Sequence, residues 1–308
     1  MNRFQNGDRI CFVGDSITAQ NRYVAYLVDY YKTNFPDEDI KIFNCGISGG
    51  TSSLLYKYFD EDTLPHNPTH IFIMLGVNDS QRENLYRERS QSRFDDLMEA
   101  YNLYKEKLPA LIKKAQSTGA KVTVMTPPPY DEYTPTDIKA YPGGFALVLG
   151  YANFVREYCK ENNIELIDIH AYLTPLLETN ELYNTDHTHP NDLGHHYIAK
   201  CILNAQGLDN GEYKDYPEYI KPWQELVGEY RNIYAVEYMV VKSDTMSVSE
   251  KVAFIKDYLD NKKYDRPDRS ESLNEFFKKV AEQYFVNKPK QQEMYKEINT
   301  LYKNTVAK

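Results

Sequence analysis

Short apolar runs alternate with longer, helix-like segments along roughly the first two hundred residues of the chain. The third run has almost no polar positions, which is typical of a strand that is buried on both faces of a parallel sheet. The alternation of strand-like and helix-like segments predicts a parallel sheet with helices on both faces. The five predicted strands are residues 9–14, 40–46, 70–79, 121–129 and 164–170.

The pattern changes after about residue 207, where strand-like runs give way to amphipathic helices. Ser247 and Glu250 form a candidate capping box at the start of one of these helices. We therefore predict two parts, an α/β catalytic domain over residues 1–207 and an all-helical extension over residues 208–308. The pattern leaves open whether the extension packs on the domain, covers its site as a lid or mediates homo-oligomerisation.

The balance of charges argues against two classes of partner. The 308 residues include 36 Lys and Arg against 45 Asp and Glu, for a formal net charge of -9. A surface that binds phosphates is usually basic, so neither nucleic acid nor an anionic membrane is a predicted partner. No apolar run approaches the ~18 residues that span a bilayer, and the N-terminus lacks the apolar core of a secretory signal. A cytoplasmic location is the resulting expectation.

Four short segments carry residue types that are common in active sites. They are residues 14–18 (Gly-Asp-Ser-Ile-Thr), 44–52 with three glycines, 76–79 (Gly-Val-Asn-Asp) and 186–196 with four histidines. Each segment alone has a purely structural interpretation, as a helix cap, a tight turn or a surface loop. Ligands of parallel α/β sheets bind at the carboxyl ends of the strands, however, and the four segments are expected to meet there.

Taken together, the segments predict a hydrolytic site. A serine hydroxyl is a poor nucleophile unless a base takes its proton, and His189 is the candidate base for Ser16. Asp186, three residues earlier, can accept the imidazole N–H and fix its tautomer. The oxyanion that forms on attack needs preorganised donors. The candidates are the backbone N–H groups of Ser16 and Gly49 and the side-chain amide of Asn78.

The four segments, in this order, resemble the sequence blocks of the SGNH (GDSL-type) hydrolase family. The resemblance covers about the first 205 residues. It implies a flavodoxin-like, three-layer α/β/α fold and a serine esterase that uses the same five residues in the same roles. Two positions depart from the usual pattern, since Ile17 stands in place of the Leu and Gly50 in place of an Asp that many members carry.

Removal of a small acyl group from a carbohydrate is the preferred activity. The loop over residues 127–141 carries Tyr130, Tyr133 and Tyr141, whose aromatic faces suit sugar rings, and Asp15 is a further candidate for substrate contact. These tyrosines have an alternative role in packing the loop itself. Hydrolysis of short-chain lipids or thioesters is the alternative within the same class.

Two alternatives come from other classes. The protein could be a non-catalytic scaffold that works through its helical extension, or a nucleotide binder that uses the turn at residues 14–18 for phosphate. The histidines of residues 186–196 also suggest a metal site, but no matching ligand set stands elsewhere, and the four cysteines are scattered. We therefore predict neither a metal nor another cofactor.

Overall fold

The structure is a computed structural model that describes residues 1–86, 88–236, 241, 246–267 and 271–306. Its strands are β1 (Arg9–Gly14), β2 (Lys41–Gly46), β3 (His70–Met74), β4 (Lys121–Met125) and β5 (Glu165–Ile167). They form one parallel sheet in the order β2-β1-β3-β4-β5. This order is the flavodoxin-like one, which confirms the predicted fold class.

Helices connect the strands and continue beyond the sheet. Those of the α/β part are α1 (Ser16–Ala19), α2 (Arg22–Asn34), α3 (Ser52–Asp62), α4 (Gln91–Gln116), α5 (Gly144–Glu161), α6 (Ile169–Leu173) and α7 (Asp192–Ala205). The C-terminal helices are α8 (Lys221–Ala235), α9 (Val248–Asp260), α10 (Glu271–Asn287) and α11 (Gln291–Val306). Within the described ranges, no helix combines the length and apolarity needed to cross a membrane.

Three of the predicted strands extend too far at their carboxyl ends. β3 stops at Met74 because the chain turns at Gly76, whose φ is 137° and whose carbonyl accepts the N–H of Ser80. The fourth strand ends at Met125, before three prolines that cannot donate to a ladder. The fifth ends at Ile167, because Asp168 caps α6 by accepting the N–H of Ala171. The polar segments after these strands are therefore loops.

Alternate residues of the strands belong to two separate cores, one on each face of the sheet. In β1, Ile10 and Phe12 pack with α2 and α7, whereas Cys11 and Val13 pack with α3, α4 and α5. β3 and β4 follow the same alternation. This arrangement explains why the strands have few polar positions, since both faces are buried, and it gives the three predicted layers.

The C-terminal helices have a core of their own and also join the first core. Residues of α8, α9, α10 and α11 form a third apolar cluster. Trp223 and Val227 of α8 instead belong to the core beside β1 and β2. The predicted capping box at Ser247 and Glu250 is present at the start of α9. The boundary at residue 207 stays a prediction, but α8 is packed as an integral part of the α/β layers.

Candidate active site

The polar segments meet at the carboxyl edge of the sheet. Ser16 follows β1, Gly49 follows β2 and Asn78 follows β3, so three adjacent strands deliver one candidate residue each. Asp186 and His189 lie in the loop before α7. This edge contains the point where the strand order reverses, at which open α/β sheets bind their ligands.

A chain of hydrogen bonds joins Ser16, His189 and Asp186. The Ser16 hydroxyl oxygen lies 2.7 Å from Nε2 of His189, and Nδ1 of the same ring lies 2.6 Å from Oδ2 of Asp186. The other carboxylate oxygen of Asp186 accepts the backbone N–H groups of Thr188 and His189, at 3.0 and 2.9 Å. The Asp186 side chain is therefore fixed on both oxygens, and the imidazole is fixed by it.

The carboxyl of Asp186 is held in its ionised form. Burial by itself would raise its pKa, but the hydrogen bond and charge of His189 and the backbone N–H groups of His189 and Thr188 outweigh burial and lower the pKa to about 2. An ionised carboxylate accepts the Nδ1–H of the ring and leaves the lone pair of Nε2 facing the serine. The arrangement has the hydrogen-bond pattern of a catalytic triad.

The Gly-Asp-Ser sequence ends β1 because each residue has a separate structural task. Gly14 leaves room for α1, since a Cβ at this position would lie 2.2 Å from Oγ1 of Thr18. Asp15 caps α1 by accepting the N–H of Ile17 at 3.0 Å. Ser16 is then the first helical residue, whose backbone N–H has no acceptor within the helix. Asp15 is buried under the site, which places it as a cap and not as a surface for substrate.

The loop after β2 is shaped by two glycines and by Asn78. Gly49 has a φ of 75°, which favours glycine, and the carbonyl of Gly50 accepts a hydrogen bond from the Asn78 amide at 3.1 Å. An amide nitrogen carries two N–H groups, so this bond uses one of them. A Cβ at Gly50 would lie 2.7 Å from the backbone carbonyl oxygen of Ile47, which leaves no room for a side chain at this position.

Two further residues that tie the segments together were missed by the sequence analysis. The Arg82 guanidinium donates to the carbonyl of Val77 at 2.8 Å and to Oγ1 of Thr188 at 3.3 Å, so it links the Asn78 loop to the His189 loop. The Asn44 amide donates to the carbonyl of Thr18 and accepts the N–H of Gly46. Asn44 belongs to the candidate segment of residues 44–52 and could have been recognised as a polar residue in a buried strand. No sequence pattern distinguishes Arg82.

The tyrosines of the 127–141 loop lie in different environments. Tyr130 is 2% exposed, and its hydroxyl oxygen accepts the N–H of Tyr141, which is itself half-buried. Tyr133 is 70% exposed. Tyr130 therefore packs the loop, and of the three rings that of Tyr133 is the one presented to solvent. His187 attaches this loop to the Asp186–His189 segment, since its Nε2 lies 2.8 Å from Oγ1 of Thr136.

The other histidines of the 186–196 segment are buried in apolar and aromatic surroundings. His195 stacks on Tyr23 and contacts the Gln20 side chain, and His196 packs edge-on against Tyr26. Among the residues that the structure describes, no group of three or more His, Cys, Asp and Glu side chains is arranged to hold a metal ion.

A second buried carboxyl lies beside the site. Oδ1 of Asp79 accepts both the N–H and the hydroxyl of Ser52, while Oδ2 has no hydrogen-bond partner among the described residues. Burial raises the pKa of Asp79 to about 6; the hydrogen bonds from Ser52 oppose this shift, and the nearby charge of Asp15 adds to it. The ionised form of Asp79 therefore destabilises the folded protein near neutral pH.

We expect the Asp79 carboxyl to make the protein more stable as the pH falls from 7 to 4. Its native pKa of about 6 exceeds the ordinary value of 3.8, so the native state holds this proton more tightly than the unfolded chain. The penalty is absent below pH 3.8, grows between 3.8 and 6 and is complete above 6. It amounts to roughly 1–3 kcal/mol at ~1.4 kcal/mol per pKa unit.

Urea unfolding at several pH values, with Asp79→Asn beside the wild type, measures this contribution. The asparagine keeps an oxygen for Ser52 and does not titrate, so the difference in unfolding free energy between the two proteins should shift in favour of the wild type as the pH falls. Parallel pH profiles would contradict the raised pKa, whatever the absolute stability of the variant.

Comparison with known proteins gives a family match and two informative relatives. The model of the GDSL-like lipase/acylhydrolase family matches residues 12–197. An acetylxylan esterase of Geobacillus stearothermophilus is 26% identical in an alignment of 223 positions, which covers 66% of this chain and 96% of the esterase. A structure of the acetyl xylan esterase Axe2 from that organism has a TM-score of 0.56 at 25% identity and covers 68% of this chain and 99% of its own. Similar structures include catalytic mutants of Axe2 with a serine or a histidine replaced by alanine.

A further likeness extends over the C-terminal helices. The structure of a gut microbial diltiazem-metabolizing enzyme has a TM-score of 0.75 and covers 99% of this chain and 96% of its own. The two proteins are 15% identical, so the likeness concerns the fold. The fold of the diltiazem-metabolizing enzyme therefore includes the arrangement of the C-terminal helices.

Proposed function

This chain belongs to the GDSL-like lipase/acylhydrolase family and is a carboxylic-ester hydrolase, and we propose that it removes acetyl or similarly small acyl groups from a carbohydrate. The observation that carries the proposal is the hydrogen-bonded chain from Asp186 through His189 to the Ser16 hydroxyl. Family membership sets aside the non-catalytic and nucleotide-binding alternatives.

In the first half of the reaction, the acyl group of the ester is transferred to Ser16. The Ser16 oxygen attacks the carbonyl carbon while its proton passes to Nε2 of His189, 2.7 Å away. The tetrahedral intermediate collapses by breaking the bond to the alcohol oxygen, which takes the proton back from His189. The products are the free alcohol and an acyl ester on Ser16.

In the second half, water replaces the alcohol. His189 takes a proton from a water molecule, whose oxygen attacks the acyl carbon. Collapse of this second intermediate breaks the bond to Ser16, which recovers its proton from His189, and the carboxylic acid leaves. Asp186 stays ionised throughout and stabilises the imidazolium that forms in each half.

The negative charge on the carbonyl oxygen would be held by three donors. The proposed donors are the backbone N–H groups of Ser16 and Gly49 and the side-chain amide of Asn78. Asn78 has a second task, since its bond to the carbonyl of Gly50 holds the loop that presents Gly49. Donors that are fixed before reaction stabilise the developing charge without the cost of reorientation.

The choice of a small acyl group on a sugar rests on the relatives and on the loop. The acetylxylan esterase covers 66% of this chain at 26% identity. Tyr133 offers an exposed ring in the loop that His187 ties to the catalytic segment. Aromatic faces can pack against the apolar face of a sugar ring. Short-chain lipids and thioesters are the alternative substrates of the same chemistry.

A panel of esters tests the preference for small acyl groups. We expect kcat/KM to fall by at least roughly tenfold from p-nitrophenyl acetate to the butyrate, because a pocket shaped for a methyl group rejects added methylenes. Acetate release from acetylated xylo-oligosaccharides should show saturation, and Tyr133→Ala should raise its KM without changing turnover of p-nitrophenyl acetate. A preference for butyrate or octanoate esters would favour a lipid substrate, and an unchanged KM in the variant would remove Tyr133 from sugar binding.

A further inference from the structure

Helix α8 of the extension inserts an arginine beneath the candidate oxyanion loop. Arg231 is 2% exposed, and its Nε donates to the carbonyl of Gly46 at 2.7 Å. The two terminal nitrogens donate to the two carboxylate oxygens of Asp62 at the end of α3, both at 2.7 Å. All three contacts together fix the plane of the guanidinium, because its donors form a rigid fork.

Gly46 is held between this arginine and the helix of the nucleophile. It ends β2 and begins the loop that leads to Gly49. A Cβ at Gly46 would lie 2.4 Å from the backbone nitrogen of Ala19, so α1 packs directly on it. The next residue, Ile47, donates its N–H to the carbonyl of Gly14, two residues before Ser16. A shift at Gly46 would therefore be passed to both the loop and α1.

The same helix also contacts the end of α1. The Gln224 side chain donates to the carbonyl of Gln20 at 2.8 Å, and the carbonyl of Gln224 accepts a bond from the Asn21 side chain at 3.5 Å. Gln224 and Arg231 are two turns apart on one face of α8, so a single rigid element contacts the nucleophile helix and the oxyanion loop.

A buried ion pair is weak as a source of stability. Taking two charges out of water costs about as much as their attraction returns, and apolar replacements of similar volume are often neutral or stabilising. The Arg231–Asp62 pair is therefore better explained by what its geometry fixes than by the stability that it adds.

We propose that Arg231 is a positioning residue for ester hydrolysis, which holds the 46–50 loop so that the Gly49 N–H faces the oxyanion. The proposal rests on the function proposed above and goes beyond it, since it makes the helical extension part of the active-site framework. Helix α8 would thus act as part of the active-site framework and not as an independent appendage.

Two variants remove the contact with Gly46 in different ways. Arg231→Lys keeps a positive charge beside Asp62 and loses the fork that also reaches the carbonyl of Gly46. The double variant Arg231→Met/Asp62→Leu replaces the whole ion pair with apolar groups, which avoids an unpaired buried carboxylate. Val227→Ala is the control, because Val227 is buried on the same helix and packs in the core beside β1 and β2.

We expect both Arg231 variants to lower kcat for p-nitrophenyl acetate by roughly 10- to 100-fold, with KM changed by less than about threefold, since small displacements of preorganised groups cost this much. Asn78→Ala, which removes a proposed donor outright, is the reference, with a loss of roughly 10²–10³ in kcat. Val227→Ala should lower the melting temperature and leave kcat unchanged.

A boronic acid separates positioning from general loosening. The Ser16 oxygen adds to the boron of phenylboronic acid while its proton passes to His189, and one hydroxyl of the resulting tetrahedral boronate occupies the oxyanion position. The inhibition constant of the boronic acid should rise in the Arg231 variants by the same factor by which kcat falls. In Val227→Ala it should stay unchanged. Equal kcat in wild type and both Arg231 variants, or losses that Val227→Ala reproduces at the same melting temperature, would overturn the proposal.

Failure of the proposed function would look different. It would appear in the wild type itself, as absent ester hydrolysis or as turnover that survives the loss of Ser16. A wild type that depends on Ser16, together with Arg231 variants of full kcat, would leave the function standing and reject only the role of Arg231.

Discussion

Ser16→Ala is expected to abolish measurable ester turnover and to leave the fold intact. The hydroxyl is the group that would form the acyl intermediate, and loss of the nucleophile of a triad lowers kcat by on the order of 10⁴–10⁶. Stability should change little, because the structural tasks of this turn fall on Gly14 and Asp15 and alanine is a good helix former at the first position of α1.

Stopped-flow hydrolysis of p-nitrophenyl acetate measures this effect most directly. The wild type should show a burst of about one equivalent of p-nitrophenolate if deacylation is the slower half, followed by steady turnover. Ser16→Ala should show neither phase. Ser90→Ala is the matched control, since Ser90 is an exposed serine that caps the start of α4, and its loss should leave both phases unchanged.

The outcome decides the role of Ser16 without reference to any natural substrate. Equal rates in wild type and Ser16→Ala would mean that the observed hydrolysis is not carried by this residue. A burst without turnover in the wild type would instead show an acyl-enzyme that forms and is not hydrolysed, which would place the fault in the deacylation half.

The layers of the fold were predictable because burial leaves a strong mark on sequence. A strand that is covered on both faces must be apolar at nearly every position, as the central strands β1 and β3 are, and the five strands alternate with helices along the chain. The carboxyl ends of the strands were less predictable. Apolar residues such as Leu75 and Val77 lie buried in the turn after β3 and look like a continuation of the strand.

The proximity of Ser16, Asp186 and His189 was also predictable, since strand ends of a parallel sheet converge and Asp186 is close to His189 in sequence. The environment of each side chain was not. Tyr130 and Tyr133 occupy the same loop, yet Tyr130 is buried, with its hydroxyl oxygen accepting the N–H of Tyr141, and Tyr133 is exposed.

Contacts between the extension and the α/β layers could not be predicted from a single sequence. Arg231 and Asp62 are 169 residues apart, and nothing in the spacing of either residue marks them as partners. A buried arginine on an amphipathic helix is also unusual, since such side chains are mostly exposed. Only the packing of α8 against the end of β2 brings the guanidinium to the carbonyl of Gly46.

Asp186→Asn carries the second largest expected effect, a loss of about 10⁴ in kcat. The asparagine oxygen can still accept the N–H groups of Thr188 and His189, so the loop should keep its shape. Its NH₂ group would then face Nδ1 of His189, where the carboxylate oxygen now accepts a hydrogen bond from the ring N–H. That contact favours the tautomer with hydrogen on Nε2, which cannot take the proton of Ser16.

The matched control is Asp192→Asn, because Asp192 lies at the start of α7, in the same stretch of chain, and pairs with Arg22 at the surface. This control should keep full kcat.

The pKa of about 2 for Asp186 adds a second readout, since wild-type activity should not be lost through protonation of this carboxyl until the pH falls well below 3.8. An Asp186→Asn variant within tenfold of the wild type would show that backbone contacts alone orient His189 and that the carboxylate charge is dispensable. A loss near 10⁴ with unchanged urea unfolding would assign the effect to the tautomer and charge of the imidazole.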